Sequence, residues 1–148
     1  MSGNAQSKAP NKQFRAKRID NGEWVYGCLI KYDDGACEIM ASGQRTLNRV
    51  IDGKPFYSSH SVCYDVDPHT VGEYTGIPDL KGKDMYERDI VKFLWTNDIV
   101  NMEILFKDGS YLAIPIDYPA GWPLTIFHIK DQIEVIGNAH DNPELLIL

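Results

Sequence analysis

The sequence predicts a mainly β protein: an antiparallel meander that leads into a small curled sheet and ends on a short helical turn. Two observations carry this. Short runs rich in Val, Ile, Tyr, Phe and Trp recur along the chain, separated by Asn-Gly, Asp-Gly and Pro-containing turns. In the most regular of them Met102, Ile104 and Phe106 alternate onto one face, as a half-buried strand requires.

In chain order, residues 1–13 have no apolar side chain able to anchor them and read as a disordered leader. Residues 14–148 then read as one β domain, with an N-terminal meander over about 14–70 and a C-terminal part over about 71–148. Phe14, Ala16 and Ile19 lead to an Asp20-Asn21-Gly22 turn, a strand follows over Trp24–Tyr32, and Asp33-Asp34-Gly35 turns the chain into a returning strand, Ala36–Ala41. Ser42–Lys54 is polar and reads as irregular; Phe56–Val66 fits either an edge strand or a loop. Asp65 and Asp67 share one side of any extended segment, and Pro68 begins a turn or a short helix.

The chain is organised around Val71–Phe93, VGEYTGIPDLKGKDMYERDIVKF. Strand-prone Val71–Thr75 breaks at Gly76, Pro78 and Lys81-Gly82-Lys83. Gly takes φ > 0 freely, Pro presets φ, and Asp79 can bond its own backbone two residues on. Glu87 and Asp89 then lead into the core strand Ile90–Phe93, where a carboxylate commonly accepts N–H bonds from the turn that it closes. Downstream, Lys107-Asp108-Gly109-Ser110 makes a tight turn that sets Phe106 opposite Tyr111 and Ile104 opposite Ala113. Asp117–Leu124 is a Pro- and Gly-containing loop bearing Tyr118 and Trp122. Ile126–Ile129 and Ile133–Ile136 read as strands, and Asn142-Pro143 starts the closing helical turn.

A chain of 148 residues buries enough surface to fold without staples. Cys28, Cys37 and Cys63 form no CxxC pair, and an odd count suits free thiols in a reducing compartment; Cys28, inside an apolar run, reads as a small core residue. His60, His69, His128 and His140 match no zinc pattern, and no cofactor is expected. No apolar run approaches the length of a membrane helix. Ser beside His in Ser59-His60-Ser61 suggests a hydrolase only weakly, because adjacent strand residues face opposite ways and no G-x-S-x-G occurs. No catalytic and no metal residues are assigned.

Charge is uneven. Residues 1–19 hold five cations and no acid, a net +5; the rest hold ten basic and twenty-one acidic residues, a net −11. An acidic body opposes general binding to phosphate backbone.

DVDPHTVGEYTGIPDLKGKDMYERDIVKF, followed about forty residues later by EVIGNAHDNPELL, resembles the YopX family of small proteins encoded by bacteriophages and prophages. The resemblance runs from about Phe14 to the C-terminus. It implies an SH3-type barrel in the C-terminal part, a bacterial cytoplasmic setting and no established activity. Arg88 stands where the family has a small Gly, so either the backbone keeps the family's turn there or Arg88 points into water.

Three functions follow from these readings. The first is a non-catalytic module that binds a host or phage protein, using Trp95, Tyr118 and Trp122 together with Tyr86, Glu87 and Asp89. The second is a nucleic-acid binder that uses the basic arm with Arg15, Lys17 and Arg18, and stacking aromatics. The third is an enzyme that uses Asp84, Glu87 and Asp89 as acid and base.

Overall fold

The computed structural model describes residues 12–95, 97–117 and 122–147. Most of the expected leader lies outside them. The chain divides into two compact units, Met1–Val71 and Gly72–Leu148.

The first unit contains strands β1 (Phe14–Lys17), β2 (Trp24–Lys31), β3 (Cys37–Ile51) and β4 (Lys54–Val66), in the order β4-β3-β2-β1 and antiparallel throughout. The turns follow from their residues. Asn21 Oδ1 accepts the Glu23 N–H and Asp34 Oδ1 the Ala36 N–H, with Gly22 and Gly35 at positive φ beside them. Ala16, Val25, Cys37, Ile39 and Val66 form the core. The thiol in that core belongs to Cys37, whereas Cys28 is only half-buried. In β2 Val25 and Gly27 take the buried face, and an even-numbered residue points the other way. Asp67 closes the unit: its Oδ1 accepts the His69 N–H, opening a 3-10 turn at Pro68–Thr70, and the Thr70 hydroxyl accepts the Lys17 N–H at 2.8 Å.

β3 and β4 run far beyond this core. β2 pairs with β3 only as far as Met40, while β3 and β4 stay paired out to Ile51 and Lys54 around an Asp52-Gly53 tip whose residues both have positive φ. Ser42–Lys54, expected to be irregular, is therefore half of a long two-stranded arm, and Phe56–Val66 lies within the other half. The sequence hid the arm because no face of it is buried, so no apolar alternation marks it.

In the second unit β5 (Gly72–Pro78) pairs with β6 (Asp84–Tyr86). Then β7 (Asp89–Trp95), β8 (Asp98–Lys107), β9 (Ser110–Pro115), β10 (Leu124–Thr125) and β11 (Ile133–Asn138) form a five-stranded antiparallel sheet in the order β10-β9-β8-β7-β11. β10 and β11 hold its opposite edges, and among the described residues no pairing closes it into a barrel. Phe106 faces Tyr111 and Ile104 faces Ala113 as the Asp108-Gly109 turn dictates. The core gathers Met85, Val91, Phe93, Met102, Ile104, Ala113, Ile126, Ile129 and Ile133. Ile126–Ile129, expected to be a strand, is one turn of helix, α1, that buries Ile126 and Ile129 and exposes Phe127 and His128. Apolar residues three apart suit a helical turn, and a four-residue run is too short for periodicity to settle its type.

Candidate functional site

The carboxylates of Val71–Phe93 hold the chain's own backbone. Asp79, 6% exposed, accepts the N–H groups of Lys81 and Lys83 on Oδ1 and that of Val135 on Oδ2, each at 2.9 Å. Gly82 at φ +84 lets the loop wrap around the acceptor. Burial works against the ionised Asp79, but the three N–H donors and the nearby Lys83 ammonium outweigh it and hold the carboxyl below its ordinary 3.8. Asp89, 2% exposed, accepts the Tyr86 N–H at 2.8 Å and closes the tight turn before β7.

Arg88 lies inside that turn at φ +75, a conformation that glycine adopts freely and other residues rarely. The turn is left-handed here although the residue is an arginine. Its N–H donates to the Ile104 carbonyl at 2.7 Å and its carbonyl accepts the Ala139 N–H at 2.9 Å. The side chain, 42% exposed, also reaches Glu103: Nε lies 2.7 Å from Glu103 Oε2. Burial raises the Glu103 carboxyl, and the Arg88 charge opposes part of that rise.

The second motif block meets the first. Leu80 N–H donates to the Ile133 carbonyl, and Asn138 pairs with Asp89 along β11 and β7. Asn138 Oδ1 accepts the His140 and Asp141 N–H groups, while Asn142 Oδ1 accepts the Asn138 N–H at 3.1 Å. Asn142 was expected to cap the helical turn Pro143–Leu146; that turn forms, but the Asn142 side chain makes no cap bond and holds the β11 end instead. Gly137 permits this, because a Cβ there would lie 2.4 Å from Asn142 Oδ1.

Tyrosines take up two further carboxylates. Burial, then a hydrogen bond to Asp84, raises the Tyr74 hydroxyl. Burial, then a bond to Glu73, raises that of Tyr111 well above its usual range. The Tyr74 and Tyr86 rings stand 5.3 Å apart. Asp84 and Asp89, named for acid–base work, therefore point at different partners, and among the described residues no three His, Cys, Asp or Glu are placed to hold a metal ion.

These placements bear on the expected binding residues. Trp122 is 81% exposed. The Trp95 side chain and all of Tyr118 lie outside the described residues. Tyr86 is 3% exposed, so it and Asp89 shape the site from inside and offer a partner no direct contact; Glu87 is half-buried. Of the cations named for nucleic acid, Arg15 is buried with its guanidinium 4.7 Å from the Trp24 ring centre. Lys17 Nζ lies 5.5 Å from the same ring. Arg18 binds Asp20 through two hydrogen bonds and lies over Tyr64.

The family model described as YopX protein matches residues 13–147. The chain belongs to the YopX family. Among solved structures it is similar to the crystal structure of protein EF1440 from Enterococcus faecalis, at 22% identity and a TM-score of 0.57, over 90% of this chain and 96% of that one. At that identity the likeness is one of fold. No curated protein matches. The two blocks that carry the YopX resemblance are the ones that Asp79, Arg88 and Asn138 join in space.

Sequence reading missed the β3–β4 arm. Leu47, Val50, Ile51, Phe56, Tyr57 and Val62 are exposed along it, and the only local signal was Asp52-Gly53 between strand-prone residues. Among the described residues no helix is long and apolar enough to cross a membrane.

Proposed function

We propose that this YopX-family protein is a non-catalytic binding module, encoded by a phage or prophage and acting in the bacterial cytoplasm. On this reading its C-terminal part is an SH3-type scaffold that presents Trp122, with Trp95 and Tyr118 as companions, to a protein with a basic face. One observation carries the reading: the buried carboxylates of the organising stretch are engaged by backbone N–H groups and therefore set shape. An acid–base pair would need two groups converging on one reacting atom. Residues 72–148 carry thirteen acidic residues against six basic, a net −7, which favours a cationic partner surface. Exposed indole supplies contact area at small entropic cost.

Nucleic-acid binding through Arg15, Lys17 and Arg18 has less support, since one of these is buried and another is paired with Asp20. The test is affinity capture from host lysate at moderate salt, with wild type and Trp122→Ala in parallel. A specific basic protein retained by the wild type and lost by the variant is expected. Recovery of no specific protein, or retention that Trp122→Ala leaves unchanged, removes the reading.

A further inference from the structure

The two edges of the β3–β4 arm are not alike. A row of unpaired N–H and C=O groups invites another strand unless bulges, charges or proline guard it. β3 is guarded: its pairing with β4 shifts at Met40/Ser42 and again at Leu47/Arg49, and it carries Arg45 and Arg49. β4 lies at the edge of its sheet and pairs without a skipped residue from Val66 to Lys54. Between Pro55 and Tyr64 it bears no Asp, Glu, Lys or Arg, and Phe56, Tyr57 and Val62 are exposed along it. A two-stranded ribbon is marginal in water by itself, so a strand added to this edge stabilises the arm.

The backbone fixes how such a strand can add. The Asp65 carbonyl accepts the Ile19 N–H, so the backbone groups of Asp65 turn away from β3. Alternation along β4 then turns those of Cys63, Ser61, Ser59, Tyr57 and Pro55 outward as well. Pro55 suits that place, because it has no N–H to offer β3. Ile19 occupies the outer side at Asp65, so an added strand ends at Tyr64.

We propose that the added strand is β4 of a second copy, paired antiparallel about a two-fold axis at Ser59. Lys54 and Asp65 stand near opposite ends of β4, so an antiparallel copy brings unlike charges together, whereas a parallel one would set like beside like. A two-fold axis joins outward residues to outward residues, Ser59 to Ser59 and Tyr57 to Ser61, and this register is the longest that stops at Tyr64. It sets Phe56 against Val62 and Lys54 against the Tyr64 ring. The two β3 strands then lie three strand spacings apart, about 14 Å. That exceeds the screening length of about 8 Å, so Arg45 and Arg49 do not oppose the contact. The contact does not involve Trp122 and stands or falls separately from the module's partner.

Sedimentation velocity across a concentration series tests it. The wild type is expected to form a two-chain species and nothing larger, because each copy has one such edge and the contact closes on itself. Ser59→Lys/Ser61→Lys puts charge on the edge and should sediment as a single chain with unchanged far-UV circular dichroism. In a Cys63→Ser background, Ser59→Cys should give a covalent dimer on mild oxidation, since residues directly opposite lie within disulfide reach. His60→Cys in the same background should give far less, because Ser58 and not His60 stands opposite it. A wild type that stays a single chain overturns the proposal, including where the edge then takes up a foreign strand, as does one that grows beyond two chains. A lysine variant that still pairs, or His60→Cys cross-linking as readily as Ser59→Cys, overturns it equally.

Discussion

Asp79 Oδ2 accepts the Val135 N–H at 2.9 Å, tying together residues 56 apart in sequence. The same carboxylate holds Lys81 and Lys83 on its other oxygen. Asp79→Ala strands donors that are buried or part-buried, and each unsatisfied donor costs about 1–3 kcal/mol. A total loss of about 3 kcal/mol is expected in urea denaturation, with a smaller loss for Asp79→Asn, which keeps one acceptor oxygen.

Acid dependence follows from the same bonds. Because the folded carboxyl lies below its ordinary 3.8, its stabilisation is complete above that unfolded value and disappears as pH falls through the folded one. The gap between wild type and Asp79→Asn should therefore be constant near neutrality and shrink below about pH 4, as denaturation across a pH series would show.

Arg88 and Glu103 give the opposite sign. Burial raises the Glu103 carboxyl, and a raised folded value favours the native state at low pH and loses that contribution as pH rises through it. Arg88→Gly removes the opposing charge and raises Glu103 further, so this variant should lose stability relative to wild type between mildly acidic and neutral pH. In a Glu103→Gln background only the strain at φ +75 is left to relieve, and Arg88→Gly should gain about 1 kcal/mol.

Gly137→Ala places a methyl carbon where Asn142 Oδ1 now accepts the Asn138 N–H. Overpacking of this kind costs about 1–3 kcal/mol. Loss of amide protection at Asn138 in hydrogen exchange should accompany the fall in stability.

The arm predicts a contrast. Leu47→Ala and Tyr57→Ala alter exposed pairs and should move global stability by less than about 0.5 kcal/mol, while arm amides exchange faster.

What the sequence disclosed depended on whether the signal was local. Asp108-Gly109 fixes a two-residue loop, so the Ile104–Ala113 register could be read directly. Asp79 bonding two residues on, to Lys81, is a short-range habit of turn Asp and was equally legible. Its bond to Val135 was not, since only folding brings β11 there. The arm escaped because strands with both faces wet carry no alternation, and α1 because one turn of apolar residues has no period of its own. Cys37 rather than Cys28 entered the core because strand parity, set by register, decides which face is buried.

Asp79 is a structural hub of the two YopX blocks, accepting backbone N–H groups from both. Urea denaturation of Asp79→Asn at neutral pH tests it most directly. A loss of more than about 1 kcal/mol is predicted, as expected for hydrogen bonds to a charged acceptor; a variant as stable as the wild type would contradict it.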